Sequence, residues 1–185
     1  MPISAEILKR FPNPIFIETG TLRGEGVQAA LDAGFECIYS VDISAYCHGW
    51  CQHRFWDYRS KVNLYERDSR RFLKWLMPKV TTRCTFWLDA HFCFSEGGRI
   101  DDVPLLQELR IIDKHQLHTH TILIDDIRLM GTRELPVSFK KVRNALLRIN
   151  PNYTITRIDS PEFKEDILVA ELCPPSNIEE ISGSS

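Results

Sequence analysis

Short apolar runs and helical apolar stripes take turns along this chain, and together they set its architecture. Ile15, Phe16 and Ile17 form a run of strand-favouring side chains, closed by Glu18-Thr19-Gly20-Thr21, residue types suited to a tight turn. Val27, Ala30 and Leu31 then recur at helical spacing, predicting a helix over 22–33. A strand over 36–41 ends in Asp42, a helix runs from about 44 to 58, and a third strand over 61–65 leads through Asp68-Ser69 to a helix over about 70–77. In the fourth strand, 81–88, Cys84, Phe86 and Leu88 alternate with their neighbours. A polar segment, 95–99, precedes an Asp102-capped helix carrying Leu105, Leu106, Leu109 and Ile112, and the fifth strand, 121–124, stops at Asp125-Asp126. Strands joined in turn through helices predict a largely parallel sheet.

The flanks complete the pattern. Ile3, Ile7, Leu8 and Phe11 line one side of a short amphipathic helix that Pro12 and Pro14 stop. After a loop over 127–136, the helix over 137–149 carries Lys140, Lys141, Arg143 and Arg148 as a solvated face. Strands over 153–158 and 166–172 close the sheet. The reading is one domain over 1–173, without internal repeats, and a loose tail over 174–185.

Composition narrows the function classes. A chain of 185 residues can bury a sizeable core without metal or disulfide staples, and a formal charge of −2 gives no basic field, so nucleic acid is not an implied partner. No apolar run approaches the ~20 residues that span a bilayer, which argues against a membrane partner. The first residues lack the pattern of a secretory signal, and six cysteines in such a chain read as reduced thiols, Cys37, Cys84 and Cys173 among them as small hydrophobes, in a cytoplasmic protein.

The candidate chemistry sits where strands end. Gly20 and Gly24 can adopt positive φ after the first strand, where the start of a helix would point its amides at a ligand. Asp42 follows about 20 residues later, where nucleotide-binding folds place an acid on a ribose. Glu18, Asp42, Asp68, Asp89 and Asp125-Asp126 all fall at or just past carboxyl ends of parallel strands, so they should converge on one crevice. Each alone is explained as a cap or turn residue, but five together fit that account poorly. Crowded carboxylates repel unless a cation or donors compensate, and Mg²⁺ suits Asp89, Asp125 and Asp126. His91, two residues past Asp89, is placed as a general base or a further ligand, or as a plain loop residue. Cys47-His48-Gly49-Trp50-Cys51-Gln52-His53 offers four metal-type ligands, but no second pair at zinc-site spacing exists, and a helix lying against the sheet is the preferred reading.

The run FIETGTLRGEG, followed by YSVDIS, ERDS, FWLDAH and ILIDDIR, resembles the motif order of class I S-adenosylmethionine-dependent methyltransferases over 14–131. LDAH, a Gly-Gly loop, PLLQEL and IDD resemble a group of small bacterial methyltransferase-like proteins. Asp89 with Asp125-Asp126 is similar to the macrocin-type sugar O-methyltransferases, in which three such aspartates hold magnesium beside the substrate hydroxyl. The resemblance implies an α/β, Rossmann-like fold with a mostly parallel seven-stranded sheet and helices on both faces. It implies that Glu18, Thr19, Gly20, Thr21 and Gly24 cradle the methionine part of the cofactor with Asp89 nearby, that Asp42 binds the ribose, and that Asp68 and Ser69 flank the adenine. Leu22 stands where many relatives have glycine, and Arg67 replaces a glycine often seen before the Asp-Ser pair.

The reaction read from these residues is methyl transfer to a hydroxyl of a small molecule, a sugar or phenol, with Mg²⁺ on Asp89, Asp125 and Asp126; Asp125 and His91 are the catalytic candidates. Loops over 93–102 and 128–136 and the first helix would select the acceptor, with Cys93, Phe94 and Met130 as an apolar wall, and the chain could pair as a homodimer. One rival is a dinucleotide-dependent oxidoreductase, disfavoured because Gly20, Gly24 and Gly26 lack the G-x-G-x-x-G spacing. Another is a binding module without chemistry.

Overall fold

The computed structural model describes residues 3–90 and 103–172. Its elements are α1 (Ala5–Leu8), β1 (Ile15–Thr19), α2 (Glu25–Ala33), β2 (Cys37–Asp42), α3 (Ala45–Arg54), β3 (Val62–Glu66), α4 (Ser69–Leu76), β4 (Cys84–Leu88), α5 (Leu105–Ile112), β5 (Thr121–Ile124), α6 (Phe139–Ile149), β6 (Thr154–Ile158) and β7 (Ile167–Glu171). Single 3₁₀ turns follow α3, α4 and β5.

The seven strands form one sheet in the order β3-β2-β1-β4-β5-β7-β6. The first five run parallel, as crossovers through helices require, whereas β7 pairs antiparallel with both β5 and β6. The chain order reverses beside β1, between β2 and β4, and ligands of open α/β sheets bind at the strand carboxyl ends next to such a reversal.

Alternation along the strands sorts side chains into two cores. Ile17, Phe86, Leu88, Ile122 and Ile124 meet α4, α5 and α6 on one face. Phe16, Ile38, Trp87 and Leu123 meet α1, α2 and α3 on the other. Because both faces are covered, β4 is buried at every position rather than at alternate ones. The N-terminal segment buries Ile3, Leu8 and Phe11, and Asn13 Nδ2 donates to Thr85 Oγ1 on β4 at 2.9 Å, which seats the chain ahead of β1.

Several boundaries differ from the sequence pattern by a few residues, among them the end of α3 at Arg54 rather than 58 and the start of β4 at Cys84 rather than 81, and three of the differences have a local reason. Glu18 and Thr19 belong to β1, not to the turn, because they pair with Ser40 and Val41 on one side and Trp87 and Leu88 on the other. Helix α2 starts at Glu25, not at 22, because Leu22 (φ 46°) and Gly24 (φ 84°) are left-handed and cannot continue a right-handed helix. Helix α5 has Pro104, not Asp102, at its N-cap; Asp102 itself lies outside the described residues.

At the amino-terminal edge of the sheet, two histidines form a closed chain of hydrogen bonds. The Cys84 amide donates to His120 Nδ1 at 3.1 Å, His120 Nε2 lies 2.9 Å from His115 Nδ1, and His115 Nε2 lies 3.0 Å from the Val80 carbonyl oxygen. An amide can only donate and a carbonyl only accept, so both rings are neutral, each with its proton on Nε2. Tyr153 Oη donates to the His120 carbonyl oxygen at 2.8 Å, tying the approach to β6 into the same corner.

Candidate active site

The β1–α2 loop is held by its neighbours. The amides of Gly20 and Thr21 donate to the Val41 carbonyl oxygen at 2.9 and 3.2 Å, and the Asp89 amide donates to Thr19 O at 3.0 Å, so the ends of β1, β2 and β4 close on one turn. Gly20 has φ 92°, and a Cβ there would sit 2.4 Å from the Asp89 carbonyl oxygen; at Gly24 it would sit 2.4 Å from the Phe55 ring. The positive φ expected of both is present, and the room left by each missing side chain is filled by the chain itself. Leu22 shows what the missing glycine costs: a branched residue in the left-handed region is strained by roughly 1–2 kcal/mol. Its amide is held at 2.7 Å by Asp42 Oδ2.

Glu18 lies under this loop, buried. Ser40 Oγ donates to its carboxylate at 2.5 Å and is itself 2.5 Å from Thr21 Oγ1. A Cβ on Gly26 would meet Glu18 Oε1 at 1.9 Å, so the first turn of α2 needs glycine to admit the carboxyl. Burial pushes the Glu18 pKa up to about 8 against the opposing pull of the Ser40 hydrogen bond. A cationic group placed beside it would draw the carboxyl back to its charged form.

Asp42 accepts from two backbone amides, Leu22 and Ser44 at 2.9 Å, and so fastens the β1–α2 loop to the start of α3. Asp68 caps α4, accepting from the Arg70 and Arg71 amides at 3.0 and 3.1 Å. Its hydrogen bonds to the Arg70 guanidinium hold its pKa below the usual carboxylate range. Ser69, the first residue of α4, is buried.

Three acids meet past β4 and β5. One carboxylate oxygen from each of Asp89, Asp125 and Asp126 lies within 4.8 Å of the other two, and among the described residues this is the group of His, Cys, Asp or Glu side chains close enough to share an ion. Asp125 is buried, and its amide donates to Leu88 O at 3.3 Å. Asp126 is left-handed at φ 53°, a conformation aspartate tolerates better than branched residues do. The Arg128 guanidinium bonds both Asp126 and the buried Asp166 just before β7, and it stacks over the Phe163 ring at 3.9 Å. His91 lies outside the described residues, as do Cys93, Phe94 and the tail from 174.

No protein-family model matches the chain, and no curated protein matches its sequence. Solved structures do match in shape. An O-methyltransferase from Bacillus cereus in complex with S-adenosylhomocysteine superposes with a TM-score of 0.66 at 10% identity, covering 91% of this chain and 78% of that one. A Streptococcus mutans protein described as a methyltransferase, also in complex with S-adenosylhomocysteine, gives 0.59 at 12% identity over 91% and 95%. A Clostridium thermocellum protein described as an rRNA methylase gives 0.56 at 14% over 90% and 92%. The fold is that of the class I methyltransferases.

Within this methyltransferase fold the sequence-predicted residues fall into two groups on one edge of the sheet. Glu18, Thr19, Gly20, Thr21, Gly24, Asp42 and Asp89 surround the β1–α2 loop, with Asp68 and Ser69 at the start of α4; Asp125 and Asp126 join Asp89 past β4. The Cys47 to His53 run forms α3, with Cys47 and Cys51 buried and His53 exposed, so those ligand types are divided between two sides of a helix. Sequence reasoning missed Ser40, Arg128, Asp166 and Glu108. Glu108 is buried on α5 and, with Leu88, Ala90, Leu105, Ile124, Asp125 and Leu135, lines a cavity of about 10 Å³. Its signal was legible: an acid three residues after Leu105 and one before Leu109 lies on the apolar face of that helix.

Proposed function

We propose that this chain is an S-adenosylmethionine-dependent methyltransferase that methylates a hydroxyl of a small molecule such as a sugar or phenol, assisted by a divalent cation. The observation that carries the reading is the meeting of the Asp89, Asp125 and Asp126 carboxylates beside the β1–α2 loop, in a methyltransferase fold.

The residues fit the cofactor in chemical type. Glu18 can answer a cationic amino acid moiety, and Asp42 and Asp68-Ser69 stand at the next two strand ends for ribose and adenine. When bound, the cofactor supplies a methyl already activated by its sulfonium. The chain's remaining tasks are to align the acceptor with that methyl and to exclude water. The three aspartates fit a hard cation as well: oxygens around Mg²⁺ at ~2.1 Å lie ~3–4 Å apart, a small adjustment from the spacing present. Asp89 and Asp125 would hold it with Asp126, whose carboxylate Arg128 also anchors. Such an ion would lower the pKa of an acceptor hydroxyl. His91 is proposed to take the proton.

Transfer of a labelled methyl from S-adenosylmethionine to a panel of sugars and phenols tests this. Chelation of divalent ions should lower the rate at least about tenfold, and Mg²⁺ should restore it. Transfer indifferent to chelation would remove the metal from the account and leave the methyltransferase reading standing.

A further inference from the structure

The inner face of α5 carries Leu105, Glu108, Leu109 and Ile112, spaced three, four and seven residues from the first, and all four are buried. Three of these choices suit a core. The fourth is a carboxyl only 1% exposed, placed where a leucine would pack without penalty, and a buried ionised carboxylate costs several kcal/mol unless it is well paired. Fold stability gives no reason for it.

Its surroundings give another reason. The hydroxyls of Ser69 and Thr19 lie close enough to oppose the effect of burial, which still raises the carboxyl pKa to about 7. Among the described residues, Glu108 Oε1 and Thr19 Oγ1 are buried near one another without either finding a partner at full hydrogen-bond geometry. Buried polar atoms without partners are uncommon in finished cores and point to a site that another group completes. Thr19 ends β1 one residue before Gly20, and Ser69 opens α4 one residue after Asp68. Glu108 therefore lies beneath both walls of the nucleotide crevice, and it also faces the cavity that reaches Asp125.

We propose that Glu108 is a positioning residue for cofactor binding, its carboxyl setting the Thr19 and Ser69 hydroxyls, and with them the β1–α2 loop and the start of α4, in the arrangement that accepts the cofactor. This rests on the methyltransferase reading above. It explains why a helix built to pack keeps an acid at its centre: sequences break a local rule at functional sites and accept lower stability there.

Two variants of the full chain, each followed by thermal unfolding and by titration with S-adenosylhomocysteine, test the proposal. Glu108→Leu should raise the unfolding midpoint and weaken S-adenosylhomocysteine at least about tenfold, whereas Glu108→Gln, which keeps the shape and the hydrogen-bonding atoms, should stay within about threefold of the wild type. A structural carboxyl would give the reverse stability result, a lowered midpoint in Glu108→Leu. That outcome, or wild-type affinity in Glu108→Leu, overturns the proposal. Should Glu108→Leu not fold, the cycle of Glu108→Ala, Thr19→Val and the double variant decides, because Glu108→Ala removes the carboxyl and a positioning role requires the two effects on affinity to be non-additive, whereas additive effects overturn it. A wild type that does not bind S-adenosylhomocysteine at all would sink the methyltransferase reading first, a failure separate from any difference among the variants.

Discussion

Asp125→Ala is expected to lower methyl transfer by about 10²-fold or more while leaving S-adenosylhomocysteine affinity within about threefold. The asymmetry follows from where Asp125 sits. Its backbone continues β5 and bonds Leu88 O on β4, and its side chain joins Asp89 and Asp126 past the ends of β4 and β5. The β1–α2 loop is fastened by other atoms: Val41 O, Thr19 O, the Asp42 carboxylate and the Ser40–Glu18 pair. Removing the Asp125 carboxylate therefore deletes one arm of the acid cluster without loosening the β1–α2 loop proposed to hold the cofactor. Asp125→Asn separates charge from shape, since the amide fills the same space but is a poor ligand for a hard cation. Single-turnover kinetics with parallel binding titrations make the comparison. Equal loss of rate and affinity would reassign Asp125 to the cofactor or to the fold.

The second large effect is on stability and lies at the opposite edge. Unfolded, the His120 imidazole takes a proton near the ordinary value of 6.5; folded, its pKa falls to about 4, first because it is buried and then because His115, Arg83 and His118 are near. Between those values the unfolded chain binds the extra proton, so stability rises with pH across the window. The contribution is complete above about pH 6.5 and is lost as pH falls toward 4, with a ceiling of about 3 kcal/mol. The hydrogen-bond chain adds to this: a second proton on His120 would sit on Nδ1, facing the Cys84 N–H, which is itself a donor and cannot accept it. Glu18 and Glu108 act in the other direction, because carboxyls whose pKa values rise to about 8 and 7 on folding favour the fold at low pH and lose that contribution as pH rises through those values. Their effects cancel in a difference, so denaturant melts of wild type and His120→Asn should diverge from pH 4 to pH 6.5. A constant difference across that range would show that His120 does not titrate as described.

Much of this was legible in one sequence, and what escaped it was three-dimensional. Ile15 to Ile17 and Ile122 to Ile124 declare strands because a sheet covered on both faces demands unbroken apolar runs. Parallel strands then put Asp42, Asp89 and Asp125 on a common edge. The start of α2 misled because apolar spacing does not report backbone sign, and Leu22, an ordinary helix former, is left-handed here to give its amide to Asp42. Glu18 reads as a turn residue until the pairing with Ser40 and Trp87 places it inside a strand and so inside the core. The Arg128 clamp escaped altogether, since Asp166 lies 38 residues away and reaches it only because β7 turns back antiparallel beside β5. Glu108 could have been flagged by its apolar neighbours on α5.

The central claim, that the crevice at the ends of β1, β2 and β3 holds S-adenosylmethionine, is tested most directly by isothermal titration of the full chain with S-adenosylhomocysteine, with and without Mg²⁺, and with NADH alongside. A dissociation constant of about 1–100 μM for S-adenosylhomocysteine, with no heat from NADH, is the result this account predicts. No binding at millimolar S-adenosylhomocysteine, or saturable binding of NADH instead, would contradict it.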